Sequence, residues 1–410
     1  MTASLILVLN SGSSSLKSSV FDLQQNQEVF TALAERLLTP QAQLTWRTPE
    51  SGKQTLDIAG ADHTAAFGQL IAAMTNAGLN TNQLHAVGHR VVHGGEAFSA
   101  SVRINDTIMN TIEQLAHLAP LHNPANAEGI RAVQRLFPDL PQVAVFDTAF
   151  HQSLPPAAYT YALPYAYYKD HGVRRYGFHG TSHRYVSAEA VARLDLDPES
   201  HRLITAHLGN GCSACAVKNG QSLDTTMGMT PLEGLVMGTR CGDIDPSLHD
   251  FLAQRTGLSL GEITHVLNKE SGLLGISGLS NDMRTLMEAA ESTSAEITEP
   301  QRARAQLAID VFCYRLAKAI ASLTVATGGL DALVFTGGIG ENAANIRTQV
   351  VHHLSWLGLN LDVTANLSHG RDQMGLVSTT REPAVMVIPT REEWLIAQDT
   401  QRLVQASWDH

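Results

Sequence analysis

The groups able to do chemistry sit where apolar runs end. The first such place is Leu5-Ile6-Leu7-Val8-Leu9-Asn10-Ser11-Gly12-Ser13-Ser14-Ser15-Leu16-Lys17, followed by Ser18-Ser19-Val20-Phe21-Asp22. An apolar run enters a Gly/Ser turn and a polar–apolar alternation leaves it, which is the pattern of two buried strands joined by a hydroxyl-rich hairpin. Small side chains, exposed backbone N–H groups, serine hydroxyls and Lys17 can converge there on phosphate oxygens without steric cost. Ser14-x-x-Lys17 also has the spacing of the serine–lysine motif of penicillin-interacting enzymes. That motif needs a helix start and a Lys-Thr-Gly partner, and the sequence offers neither. For the turn taken alone, a plain Ser-rich connection without a ligand stays open, since Ser and Gly are ordinary turn residues.

Other candidates follow the same rule of placement. Arg90 lies in His85-Ala86-Val87-Gly88-His89-Arg90-Val91-Val92-His93-Gly94-Gly95, which alternates like a strand and puts Gly88, Arg90 and Val92 on one face. It is either a solvated edge residue or an anion ligand. Asp147 closes the apolar run 142–148. An acid at the C-terminal end of a core strand stands where α/β folds place active groups, the alternative being a cap. Pro120 and Pro124 fix Leu121-His122-Asn123 as a rigid corner, with Asn123 able to cap the next helix. Arg174-Arg175-Tyr176-Gly177-Phe178-His179-Gly180-Thr181-Ser182-His183 sets arginines and histidines beside a glycine-hinged aromatic. His179 and His183 have helical i, i+4 spacing, but no glutamate adjoins His179 as the zinc-protease pattern requires. Residues 225–246 are dense in Gly and Pro, too long for a simple connection, and carry Arg240 between Gly238 and Gly242.

The elements that must position these groups are legible as periods. Residues 61–78 read as an amphipathic helix with Phe67, Leu70, Ile71 and Met74 on one face, Asp62 as cap and Gly78 as stop. Residues 106–118 read as a second helix with Ile108, Ile112 and Leu115 aligned, 279–284 begin another, 288–300 form a surface loop, and 301–327 are a long helix ended by Gly328-Gly329. Residues 203–217 repeat the opening pattern of strand, Gly/Asn/Ser turn and strand. Laid over the first hairpin, Asn10 meets Gly209, Gly12 meets Gly211 and Ser14 meets Ser213, half a chain apart, which suggests an internal duplication. Cys212 and Cys215 fall on opposite faces of that strand and have no second pair, so they read as small packing residues. Residues 332–336 are a buried strand running into Gly337-Gly338-Ile339-Gly340-Glu341-Asn342-Ala343. Gly338-x-Gly340-x-x-Ala343 is a dinucleotide fingerprint in miniature, but it comes late in the chain and no ribose-binding acid is clear downstream. A helix N-terminus beside glycines suits any nucleotide. There is no P-loop run. Residues 384–394 close the chain as a strand and a helix start bearing Glu392 and Glu393, which the helix dipole favours in any case.

With 410 residues, two domains are expected, with the crossing at 154–168 and bounds of 1–150 plus 386–410 and 151–385. The composition, 44% apolar and 16% charged, is globular, and a net charge of −11 argues against a nucleic-acid surface. An anionic substrate therefore needs locally concentrated cations. Four cysteines fit a reducing compartment, and the opening residues lack a basic signal region or a run long enough for a membrane span. A soluble cytoplasmic protein is expected.

Taken together and in order, these motifs resemble those of the acetate kinase family. The resemblance is carried by residues 7–17 and 205–213, by Arg90-Val91-Val92-His93-Gly94-Gly95, Phe146-Asp147-Thr148-Ala149-Phe150-His151 and Arg175-Tyr176-Gly177-Phe178-His179-Gly180, and by residues 229–246, 335–342 and 389–393. It implies an α/β chain with a duplicated ribonuclease H-like (actin-like ATPase) fold, two domains around a nucleotide cleft, and a homodimer. It implies reversible, magnesium-dependent in-line phosphoryl transfer from ATP to acetate, giving acetyl phosphate and ADP, with manganese able to substitute and with neither nucleic acid nor membrane as partner. Residue by residue, Asn10 and Glu392 resemble the metal site, and Lys17 a nucleotide-phosphate contact. Arg90, Arg240, Asp147, His179 and His122 resemble the catalytic set, with Arg90 also on the substrate carboxylate. Val92, Leu121, Phe178 and Pro231 match the pocket for the acetate methyl. His207, Leu208, Gly209, Asn210 and Gly211, then Asp282, Met283 and Arg284, then Gly338, Ile339, Gly340, Glu341 and Asn342 match the nucleotide segments. Cys241, Arg391 and Thr226 depart from the usual residues, and Arg391 sets a cation beside the metal acid Glu392. Asp147 is expected to orient an arginine or to organise the metal's waters. A propionate kinase of the same family is the nearest alternative. A non-catalytic actin-like ATP-binding protein and an NAD-dependent dehydrogenase are distant ones.

Overall fold

The computed structural model describes residues 5–120 and 122–405. The apolar runs become strands. Eight form one sheet: β1 Leu5–Gly12, β2 Ser15–Asp22, β3 Gln27–Glu35, β4 Gln43–Arg47, β5 Gln54–Asp57, β6 Leu84–Val91, β7 Val102–Arg103 and β8 Gln142–Phe146, in the order β5-β4-β3-β2-β1-β6-β8-β7. Five form another: β9 Arg202–Leu208, β10 Cys212–Lys218, β11 Gln221–Thr225, β12 Ala332–Thr336 and β13 Ala384–Val387, in the order β11-β10-β9-β12-β13.

The duplication lies in topology. In the first sheet β3, β2 and β1 are antiparallel neighbours, and β1, β6 and β8 are parallel ones. In the second, β11, β10 and β9 are antiparallel, and β9, β12 and β13 parallel. The same five-strand order and sense therefore occur twice. The residue overlay expected from the turns is corrected. Gly12 pairs with Ser15 across a two-residue turn, whereas Leu208 pairs with Cys212 across a three-residue turn. Ser14 is thus a turn residue and Ser213 a strand residue, and they are not counterparts.

The chain divides into two compact units, one running to Gln152 and including the segment from Arg391, the other Ser153–Thr390. In the first, Leu5, Leu7 and Leu9 of β1 share a core with Phe67, Leu70 and Met74 of the helix His63–Asn76, which Asp62 caps by accepting from Ala65 N at 2.8 Å. Val91, Met109, Ile112, Ile130 and Phe146 make a second cluster, in which the Phe98 and Phe146 rings stack at 4.3 Å. The helix expected over 106–118 ends at Gln114 and tightens into a 3-10 turn, Leu115–His117. The long helix of the second unit, Glu299–Thr327, is closed by Gly328 in the left-handed region, φ 70°. No helix among the described residues is long and apolar enough to cross a membrane.

One close approach fixes the opening hairpin. The helix Asn123–Leu136 passes Ser11 at Gly129, where an added side-chain carbon would lie 2.0 Å from Ser11 Oγ and 2.7 Å from Ser11 Cβ. Rotating the serine hydroxyl cannot relieve the second contact. Gly129→Ala is expected to destabilise by about 1–3 kcal/mol, despite alanine's better helix propensity. Thermal unfolding checks this, and adding Ser11→Gly should recover most of the loss. An unchanged midpoint for the single variant would show that the hairpin yields.

Candidate active site

In the first unit the site grows from the pairing of β6 with β8. Arg90 lies opposite Val145 and Val91 opposite Phe146, so the ends of the two parallel strands share one rim. Arg90 Nε donates to Asp147 Oδ1 at 2.9 Å and Nη2 to Oδ2 at 2.6 Å, a two-pronged ion pair. Asp147 is buried and Arg90 half-buried. The Asp147 charge raises Arg90 above the ordinary arginine value, against the effect of burial.

The helix Glu392–Gln405 brings Glu392 and Glu393 to the same place in its first turn. Burial pushes the Glu392 carboxyl up to about 7, opposed by Arg90, reinforced by Asp147 and Glu393, and opposed again by Lys17. Burial also raises Glu393, but its ion pair with Lys17 of β2 wins and holds it below the usual carboxylate value. Asn10 of β1 lies directly across from Lys17. Arg391, expected to crowd Glu392, rests its guanidinium 4.5 Å from the Trp394 ring centre, and the cations acting on Glu392 are Arg90 and Lys17.

Two amides fasten this half. Asn123 does not cap its helix, a correction to the sequence expectation: His122 occupies the cap position without a side-chain cap bond. Asn123 Oδ1 instead accepts from His93 N at 3.1 Å, and its Nδ2 donates to His93 O at 2.9 Å. One turn on, Asn126 Oδ1 accepts from Val92 N at 3.0 Å and Nδ2 donates to Ser11 O at 2.7 Å. The stretch after β6, carrying half-buried Val92, is thereby tied to the hairpin turn. Leu121 lies outside the described residues.

In the second unit His179 stands at the start of the helix Gly180–Leu194 with a left-handed backbone, φ 57°. Its ring stacks on His207 of β9 at 4.3 Å, and its Nδ1 lies 2.8 Å from Ser213 Oγ. Ser213 faces His207 across the β9–β10 pair and also lies 2.8 Å from His183 Nε2, whose Nδ1 is 2.7 Å from Thr205 Oγ1. His207 Nδ1 lies 2.8 Å from Ser182 Oγ, and Thr390 Oγ1 donates to Ser182 Oγ at 2.9 Å. His183, Ser213, Ser182 and Thr390 were not singled out as site residues from the sequence. The i, i+4 spacing of His179 and His183 was the one available signal.

Arg240 belongs to the stretch between β11 and the helix Leu248–Thr256, which forms neither helix nor strand. Arg240 Nη1 donates to Pro231 O at 3.2 Å and lies 3.7 Å from Met237 Sδ. Burial pulls it below the ordinary arginine value, and no carboxylate pairs with it among the described residues. Arg240 Nη1 and His179 Nε2 approach one point: a side-chain carbon on Gly211 would lie 3.3 Å from the first and 3.7 Å from the second. Arg175 anchors the loop by donating from Nη1 to Thr225 O at 2.8 Å and from Nη2 to Glu233 Oε1 at 2.7 Å, with Tyr161 OH on the other Glu233 oxygen. Phe178 is buried and Pro231 half-buried.

A cavity of about 690 Å³ in this unit is lined by Gly209, Asn210, Asp282, Met283, Arg284, Gly338, Ile339 and Asn342, all expected, and also by Asn281, Met287 and Ala343. Met287 is one turn from Met283 on the helix Met283–Glu291, which Asp282 caps through Thr285 N at 2.9 Å. Among the nucleotide segments, His207, Leu208, Gly211, Gly340 and Glu341 do not line it. Glu341 Oε1 accepts from Gly337 N at 3.0 Å and Thr390 N at 3.1 Å, so this carboxylate holds backbone. No disulfide joins the cysteines among the described residues. Burial pushes the Cys212 and Cys215 thiols up to about 12, as suits packing residues. Among the described residues no group of three or more His, Cys, Asp or Glu could hold a metal.

A model of the Acetokinase family matches residues 5–398. The acetate kinase of Ectopseudomonas mendocina is 53% identical over 404 residues, covering 98% of this chain and 100% of its own. That of Deinococcus radiodurans is 51% identical over 399 residues, covering 97% and 98%. Among solved structures, Porphyromonas gingivalis acetate kinase has a TM-score of 0.91 at 42% identity, covering 98% of this chain and 100% of its own. A propionate kinase from Francisella tularensis has a TM-score of 0.90 at 45% identity, with the same coverage. The repeated five-strand sheet is the mark of the duplicated actin-like ATPase fold that these neighbours have. This chain belongs to the Acetokinase family.

Proposed function

We propose that this chain is an acetate kinase, transferring the γ-phosphoryl group of ATP to acetate in a reversible in-line step that yields acetyl phosphate and ADP. What carries the reading is the identity of about half the residues, over nearly the whole chain, with proteins named acetate kinase. The charges agree with it. Acetate is already ionised at neutral pH, so its carboxylate needs alignment and not a base. Catalysis of such a transfer is positioning plus neutralisation of charge.

In this reading Arg90, held by Asp147, receives the acetate carboxylate. Arg240 and His179 meet the transferring phosphoryl group, with His122 in support. The cavity beside Asp282–Arg284 and Gly338–Asn342 takes the nucleotide, and Lys17 a phosphate. Val92, Leu121, Phe178 and Pro231 contact the methyl group. Magnesium, with manganese as substitute, fits Asn10 and Glu392: both offer oxygen, and burial keeps the Glu392 carboxyl raised in spite of Arg90 and Lys17, so a further cation there would favour its charged form. Two protein oxygens suffice, because magnesium usually completes its shell with phosphates and water. When bound, the ion would neutralise phosphate charge. The two domains, each ribonuclease H-like, a cytoplasmic location and a homodimer complete the proposal.

Propionate kinase is the second reading, favoured by the Francisella tularensis neighbour of that name. One methylene in an apolar pocket is worth only about 1–3 kcal/mol. The test is kcat/KM with magnesium-ATP for acetate, propionate and butyrate, with Arg90→Ala as the blank. Acetate is expected to lead, with the signal lost in the blank. A lead for propionate keeps the chemistry and changes the substrate, and no acyl phosphate from any of the three overturns the proposal.

A further inference from the structure

Thr205, His183 and Ser213 form a line of hydrogen bonds ending on His179, and its protons can be assigned. The Thr205 hydroxyl is fully buried in β9, and its one partner among the described residues is His183 Nδ1, at 2.7 Å. A buried donor left unmet forfeits its hydration without replacement. An oxygen lone pair is more readily left unused. The Thr205 proton therefore points at His183 Nδ1, which makes that nitrogen an acceptor. Neutral His183 then carries its proton on Nε2 and donates it to Ser213 Oγ at 2.8 Å. Ser213, also fully buried, spends its own proton on its other side-chain partner, His179 Nδ1, at 2.8 Å. His179 Nδ1 is thus an acceptor, and the ring proton sits on Nε2.

The opposite polarity would leave the Thr205 proton with no acceptor and the His179 Nε2 lone pair outward. Arg240 Nη1 and His179 Nε2 both come within 4 Å of the same point beside Gly211, so the guanidinium opposes a second positive charge. His207 also faces His179, its ring stacked at 4.3 Å with Nδ1 against Ser182 Oγ.

We propose that Ser213, itself ordered by His183 and Thr205, is a positioning residue that locks His179 as the neutral Nε2–H tautomer, so that the ring presents a hydrogen-bond donor to an anionic oxygen. The identity of that anion, a transferring phosphoryl group, rests on the function proposed above; the tautomer rests on the hydrogen bonds alone.

Two-bond ¹H–¹⁵N spectra of the full chain labelled at histidine, with His179→Gln to assign the signals, test this directly. The wild type is expected to show His179 protonated at Nε2 and bare at Nδ1 at pH 7.5. Ser213→Ala should give a mixture of tautomers and lower kcat for acetyl phosphate formation about 10- to 100-fold with little change in KM. Ser213→Thr, which keeps a hydroxyl, should restore both the spectrum and most of the rate. An Nδ1–H ring or an imidazolium in the wild type overturns the proposal, and so does an Nε2–H ring that Ser213→Ala leaves unmoved. Because the spectra need no turnover, a chain that made no acyl phosphate would sink the functional reading and leave the tautomer to be judged on its own signals.

Discussion

Arg240→Ala is expected to lower kcat for acetyl phosphate formation by about 10³–10⁵, with small changes in KM for ATP and acetate. The reason is the electrostatic position of this side chain. Its guanidinium is half-buried, is held by one carbonyl oxygen and a thioether, and has no carboxylate among the described residues. A cation kept partly dry without a counter-ion is unfavourable in the free protein, and that cost is recovered when negative charge arrives. Charge on the equatorial oxygens of a transferring phosphoryl group is the kind that a planar donor fork meets best. Arg240→Lys keeps the charge and loses the fork, so it should recover only part of the rate. The folded state should not suffer, since a buried unpaired charge is removed, and the unfolding midpoint is expected to hold or rise. Initial rates at saturating substrate decide the matter. Normal kcat with a raised KM would make Arg240 a ground-state binding residue and end its assignment to the transferring group.

Much of the scaffold for this arrangement was legible in local patterns. Alternation and apolar runs located the strands that matter, Asp62 and Gly328 marked helix ends, and the Gly- and Pro-rich stretch bearing Arg240 is indeed without helix or strand. These are features that neighbours in sequence decide. What failed was decided by neighbours in space. Asn123 ends a proline-bracketed corner and looks like a cap, yet the His93 backbone offers its amide a donor and an acceptor at once. An open peptide at the end of β6 outbid the helix terminus. The hairpin overlay failed because turns differ by one residue while the sheet order is kept, and pairing register is invisible to a comparison of glycines and serines.

The site shows the same division. Arg90 and Asp147 stood out because each ends an apolar run. That they face each other depends on β6 and β8 being parallel neighbours, which neither run reveals. Ser213 read as a turn residue matched to Ser14, since its meaning comes from two histidines that a helix delivers from another part of the chain. Glu341 Oε1 also accepts from the backbone of Gly337 and of Thr390, a contact with a distant segment that the local Gly-rich pattern does not reveal.

Asp147→Asn is expected to lower kcat by about 10²-fold, an effect of misplacing a substrate-holding group. The carboxylate grips Arg90 through both oxygens, at 2.9 and 2.6 Å. Asparagine has nearly the same shape but turns one acceptor into a donor, which then faces a guanidinium that has only donors. One prong is lost and replaced by repulsion, so the arginine swings toward the remaining anions of its neighbourhood, Glu392 and Glu393. Acetate binding need not weaken, since Arg90 has lost its strongest competitor for a carboxylate, and KM for acetate should stay level or fall while kcat drops. Arg90→Lys, with a point charge in place of a fork, should cost a similar factor. The double variant should cost little more than either single one, because the two act as a unit. Raising the magnesium concentration separates this account from its rival. If Asp147 orients Arg90, the loss persists at any magnesium level; if it organises the metal's water shell, activity returns as the ion is raised, and the orienting role must be abandoned.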